Sequence, residues 1–164
     1  MVLDATPSEE ARSHLAELLL EDDDEPTDFG RIDEIRTEYL DTYAAGAERA
    51  IARHDLELAE LTVGGIDCVR ILSRSAGVSN GSMLYVFGGA FIVGDPLSDL
   101  PIIGALAERC RVEVVAPRYR LAPEHPPPAG FDDCYAVYCA LARDTSHRLL
   151  LAGESAGGNL ALRI

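Results

Sequence analysis

Ser155 is the residue of this 164-residue chain whose surroundings point most directly to chemistry. It stands in Gly153-Glu154-Ser155-Ala156-Gly157, a G-x-S-x-G arrangement. The apolar run Leu149-Leu150-Leu151-Ala152 precedes it, and Gly157-Gly158-Asn159-Leu160-Ala161, helical in pattern, follows. A strand, a tight turn and a helix in that order form the setting of a nucleophile elbow, where a serine hydroxyl is held clear of the backbone. The flanking glycines have a steric reason, because the turn strains the serine backbone and leaves no room for bulky neighbours. The Ala156 N–H would lie at a helix amino terminus, facing negative charge as it develops on a carbonyl oxygen. A Gly/Ser-rich helix start is the plain alternative, since three fixed positions recur by chance in about one chain in twenty of this size.

A second signal is Phe87-Gly88-Gly89-Ala90-Phe91, directly after the apolar stretch Ser82 to Phe87. Glycines there let backbone N–H groups approach a ligand oxygen unhindered. Paired with the elbow, Gly88 and Gly89 would supply the second half of an oxyanion hole. Alone, Gly-Gly is an ordinary turn.

A serine hydroxyl is a weak nucleophile until a base takes its proton. The histidines are His14, His54, His125 and His147, and each reads better as a packing or surface residue than as that base. Asp132 and Asp133 open a helix, where carboxylates meet the dipole favourably. Cys68, Cys110, Cys134 and Cys139 contain no Cys-x-x-Cys pair and read as small buried apolar residues in a reducing compartment.

The elements that position these residues follow from pattern. Thr6-Pro7-Ser8-Glu9 opens a first helix, with Leu15, Leu18 and Leu19 at helical spacing. The acidic run Glu21 to Glu25, ended by Pro26, reads as a linker. A second helix carries Ile32, Ile35, Tyr39, Leu40, Tyr43, Ala47 and Ile51 along one face. Beyond Leu56 the pattern changes. Glu57 to Val63 and Ile66 to Ser73 form a hairpin around Gly64-Gly65. Strands at Ser82 to Phe87, Val112 to Ala116 and Leu149 to Ala152 then alternate with helices at Leu100 to Cys110, Phe131 to Ala142 and Ser155 to Ile164. That order predicts an α/β fold, a mostly parallel sheet with helices on both faces.

Composition narrows the partners. The formal net charge of -14 disfavours nucleic acid and anionic membrane surfaces, which need clustered basic residues. No apolar run approaches the roughly 20 residues of a transmembrane helix, and the first residues do not read as a secretory leader. The expectation is a cytoplasmic protein without cofactor or metal, its partner a small molecule, with homo-oligomerisation left open.

Three segments occur together and in order: Phe87-Gly88-Gly89-Ala90, Tyr119-Arg120-Leu121-Ala122-Pro123-Glu124-His125-Pro126 and Gly153-Glu154-Ser155-Ala156-Gly157-Gly158-Asn159. Together they resemble the hormone-sensitive-lipase-like branch of the α/β-hydrolases, mostly bacterial carboxylesterases. The resemblance implies an N-terminal helical cap over residues 1–55 and the first half of the hydrolase core over 56–164. It implies hydrolysis of small apolar esters through an acyl-enzyme on Ser155, with oxyanion donors from the N–H groups of Gly88, Gly89 and Ala156. Two departures stand out. The family's His-Gly-Gly-Gly reads Phe87-Gly88-Gly89-Ala90 here, so the imidazole that would fix the loop is gone. The triad acid and histidine follow the serine along the chain in that fold, whereas this chain runs only to Ile164. The resemblance therefore implies the N-terminal portion of a longer enzyme, inactive as these 164 residues alone. A non-catalytic ligand-binding protein on the same fold, and acyl transfer to an acceptor other than water, are the alternatives.

Overall fold

In the computed structural model, the described residues are 9, 29–77, 81–143 and 148–164. The first-helix expectation beyond residue 9, the acidic linker, His14 and His147 fall outside them. A short 3-10 turn, Phe29–Arg31, leads into helix α1, Ile32–His54. Strands β1 (Leu56–Val63) and β2 (Ile66–Ser73) follow, then β3 (Ser82–Val86), α2 (Leu100–Cys110), β4 (Glu113–Pro117), α3 (Ala129–Leu141), β5 (Leu149–Gly153) and α4 (Ser155–Arg163). The expected elements recur within two or three residues of their sequence bounds. Contacts divide the chain into Met1–Gly30 and a compact unit, Arg31–Ile164.

The five strands form one mixed sheet in the order β1-β2-β4-β3-β5. The hairpin is antiparallel with Val63 opposite Ile66, and β2 pairs antiparallel with β4. The parallel part is β4-β3-β5. In β3, Met83, Leu84, Tyr85 and Val86 are all buried, as are Val114, Val115 and Ala116 in β4. Consecutive burial requires cover on both faces. Helix α1 packs on α2 and helix α3 on α4, each pair against the sheet. Burying each Leu84-, Ile103- or Val137-sized side chain is worth about 1.5–3 kcal/mol.

Helix α1 corrects one expectation. Of its apolar stripe, Ile32 is buried and Ala47 packs against the core as expected, but Leu40, Tyr43 and Ile51 stay exposed, and the other buried residues are Ala50 and His54. The contact with α2 is instead made where side chains are small. A Cβ on Gly46 would touch Pro101 at 3.7 Å, and one on Gly104 would press on His54 Cδ2 at 2.9 Å. Close approach of two helices, rather than the widest apolar stripe, selects the buried face. Among the cysteines, Cys68 and Cys134 are buried as expected, but Cys110 is exposed because it ends α2. All four are free thiols.

Candidate active site

The parallel register does the first part of the positioning. Strands β3 and β5 are paired through Val86 opposite Gly153. Gly88 and Ser155 each lie two residues beyond that last pair, so the two glycine-flanked turns leave the same end of the sheet side by side.

Ser155 begins α4 with φ +48°, a left-handed conformation rare for a residue with a side chain and costing about 1–3 kcal/mol. The turn has no side-chain cap at Glu154. Steric fit holds it instead: a Cβ on Gly157 would collide with the carbonyl oxygens of Val86 and Phe87. The Glu154 N–H donates to Val86 O at 3.2 Å, tying the turn to β3. Ser155 is exposed, while Ala156 and Gly157 behind it are buried. The Ala156 N–H belongs to the first turn of α4, whose donors have no partner within the helix.

The loop after β3 is held differently. Phe87 is buried and stacked on Tyr119 with ring centroids 4.3 Å apart, and the Tyr119 hydroxyl donates to Phe87 O at 2.9 Å. Gly89, at φ +115°, accepts from the N–H groups of Ile92 and Val93 at 3.0 Å each. Phe91 O accepts from Ala122 N–H at 2.9 Å. Ile92 O accepts from Arg36 Nε at 2.9 Å. The same guanidinium donates to Ala122 O and makes a two-pronged pair with Glu124 at 2.8 Å on each prong. The carbonyls of Phe87, Gly89, Phe91 and Ile92 are thus taken up inside the protein. Among the described residues no hydrogen bond engages the N–H of Gly89 or Ala90. A loop with these acceptors tied back and the Gly89 and Ala90 donors unspent suits an anion.

Gly88 departs from expectation. Its N–H donates to Asp99 Oδ2 at 3.4 Å, the same oxygen that accepts the Tyr85 hydroxyl at 3.1 Å. The physical reason is the burial of Asp99, 8% exposed, since a carboxylate removed from water collects whatever donors it can reach. Burial pushes the Asp99 carboxyl above the usual carboxylate range, and the Tyr85 and Gly88 donors oppose the rise. Burial and then the charge of Asp99 also push Glu154 up. Neither Asp99 nor Tyr85 was singled out by the sequence; a lone acid before an apolar helix gives no sign of its depth.

Among the described residues, neither His54 nor His125 meets the serine. Ser155 has no side-chain hydrogen bond among the described residues. His54 pairs with Glu108 at 2.8 Å on the α1–α2 side. His125 lines a cleft of about 240 Å³ with Phe91, Tyr119 and Phe131. Ser155 lies in a separate, open depression of about 680 Å³, which shares only Asn159 with that cleft. Asp133 is buried and serves structure, its carboxylate accepting from the Arg120 backbone N–H at 2.9 Å and from Nη2 at 2.7 Å. Asp132 lies in the first turn of α3.

Comparison with known proteins places the fold in a family. Residues 83–164, half of the chain, match the family model described as the alpha/beta hydrolase fold. The chain is similar to Lipase 2 of Moraxella sp., 31% identical over 130 residues, which cover 72% of this chain and 30% of that protein. It is also similar to the carboxylesterase/phospholipase LipF of Mycobacterium tuberculosis, 38% identical over 94 residues, 56% of this chain and 25% of the other. A crystal structure of a hormone-sensitive lipase from a metagenome library superposes with a TM-score of 0.67 at 32% identity, covering 92% of this chain and 49% of that one. The chain spans less than a third of these two curated relatives and about half of the solved one.

Proposed function

The chain belongs to the α/β-hydrolase fold family, in its hormone-sensitive-lipase-like branch, and from that premise we propose that it carries the nucleophile and oxyanion side of a serine carboxylesterase. Ser155 Oγ attacks the carbonyl carbon of a small apolar ester. Its proton passes to a histidine, oriented by a carboxylate, both supplied from outside these 164 residues. The N–H groups of Gly89 and Ala156 receive the oxyanion, while Gly88, expected as a third donor, is drawn toward Asp99. The ester C–O bond then breaks, the alcohol departs with the proton, and water releases the acid from Ser155. Residues 1–55 are proposed as part of the cap and 56–164 as the first half of the core.

The observation that carries this reading is the pairing of Val86 with Gly153, which sets an exposed, strained Ser155 beside a loop with unspent N–H groups. Supporting it, the named relatives are lipases and carboxylesterases. No helix among the described residues is long and apolar enough to cross a membrane.

A fluorophosphonate tests the proposal in the intact protein that contains this chain. The expected result is one adduct, mapped to Ser155, and loss of ester hydrolysis in Ser155→Ala by roughly a millionfold in kcat, as for other activated serines. An adduct elsewhere overturns it. Absence of any adduct, with an apolar ester still bound, favours the ligand-binding alternative.

A further inference from the structure

Phe87 stands where the resemblance expects an imidazole that fixes the oxyanion loop, yet the loop is not loose. Its root is held by one buried oxygen. Asp99 Oδ2 accepts from the Gly88 N–H at 3.4 Å and from the Tyr85 hydroxyl at 3.1 Å. Tyr85 is itself 1% exposed and lies two residues before Phe87 in β3. Asp99 is fixed in turn, because its carbonyl accepts the N–H groups of Ile102 and Ile103 at 2.9 Å each as α2 begins. One residue therefore joins a strand and a loop through its carboxylate and a helix start through its carbonyl.

On the other side of Gly88 lies the turn that carries Ser155. A Cβ there would collide with the Glu154 carboxylate and come within 3.1 Å of Glu154 O. Gly88 is thus confined between Asp99 on its N–H side and Glu154 on its Cα side. The next residue, Gly89, carries an uncommitted N–H, and its direction depends on the peptide plane that precedes it. We infer that Asp99 is a positioning residue of the oxyanion loop, its carboxylate holding the Gly88 N–H so that the Gly89 N–H is presented to the reacting carbonyl.

The inference rests on the reading of Ser155 as nucleophile and deepens it. Asp99 touches no reacting atom; it acts through Gly88. The atom it contributes is an acceptor, and acceptance does not need charge. An asparagine keeps an acceptor oxygen in the same place, while an alanine removes it. The raised carboxyl of Asp99 accords with this, since its burial favours the uncharged form.

The experiment compares Asp99→Asn and Asp99→Ala in the intact enzyme. Readouts are the fluorophosphonate adduct, kcat and KM for a short-chain nitrophenyl ester, affinity for a trifluoromethyl ketone, and amide exchange at Gly88. Asp99→Ala is expected to keep the adduct on Ser155 and KM within about threefold. Its kcat should fall by about ten- to a hundredfold, short of the hundred- to thousandfold that deleting an oxyanion donor costs. Affinity for the ketone, which forms a tetrahedral adduct, should fall in step, and Gly88 exchange should quicken. Asp99→Asn should restore all three to within about threefold of the parent. An alanine variant with unchanged kcat overturns the inference, as does an asparagine variant as impaired as the alanine one. A parent enzyme that takes no adduct on Ser155 overturns the nucleophile reading, and this inference with it.

Discussion

Two turns leave adjacent parallel strands at the same end of the sheet, and they are held by opposite means. The turn after β5 is fixed by what its residues lack. Gly157 has no Cβ to strike Val86 O and Phe87 O, and no side chain caps the helix it opens. The loop after β3 is fixed by what distant residues reach in and supply: Tyr119 to Phe87 O, Arg36 to Ile92 O, Asp99 to Gly88 N–H. A turn held by exclusion shows itself locally, in its own five residues, although the atoms it must clear, Val86 O and Phe87 O, lie far back along the chain. A loop held by long side chains is written over the whole chain, with partners 11 to 56 positions away.

The strongest way to break the contrast is to add a methyl group to the first turn. Gly157→Ala must push β3 and α4 apart, and the expected loss is about 3 kcal/mol by urea denaturation, the upper end of ordinary overpacking. Gly158→Ala is the control. Its Cβ would come no nearer than 3.3 Å, to Gly153 O, so stability should change by less than about 1 kcal/mol, helped by better helix propensity. Equal losses would mean that steric exclusion is not what fixes the turn.

A smaller effect sharpens the other side. Arg36→Ala removes the hydrogen bonds to Ile92 O, Ala122 O and Glu124. Hydrogen exchange should quicken several-fold at Ile92, Val93 and Ala122, and stay unchanged at Gly158 on the other turn. Quickening at both turns would show that the two are one cooperative unit.

The smallest effect is on pH dependence. The hydrogen bond from Arg36 holds the Glu124 carboxyl at about 2, against 4.5 for the free group. A depressed carboxylate contributes stability above its unfolded value and loses it as pH falls through the folded one. Glu124→Gln should therefore melt slightly below the parent above pH 4.5, and the gap should close as pH falls toward 2. Glu124 is exposed, so the gap is small and shrinks in salt. A gap that widens on acidification would assign the pairing to another partner.

The same contrast explains what was legible in the sequence. The strands and helices follow from apolar period and glycine punctuation, and the Ser155 turn from its own five residues. The anchoring of the loop did not. Nothing around Arg36 distinguishes it from a solvated helix arginine, and Asp99 reads as an acid before a helix. Both gain their roles only when the fold brings β3, α1 and α2 together. The buried face of α1 is only partly legible for a related reason. Gly46, Ala50 and Gly104 are small, and small residues score low in any apolar stripe although they permit the closest approach.

The guanidinium of Arg36 also sets a timetable for synthesis. Its carboxylate partner is 88 residues downstream. At roughly 5–20 residues per second, translation takes about 4–18 s to reach it. For that interval α1 has emerged with no Glu124 to grip, and the two terminal nitrogens of its guanidinium can hold the proline-rich segment only once that segment has cleared the ribosome.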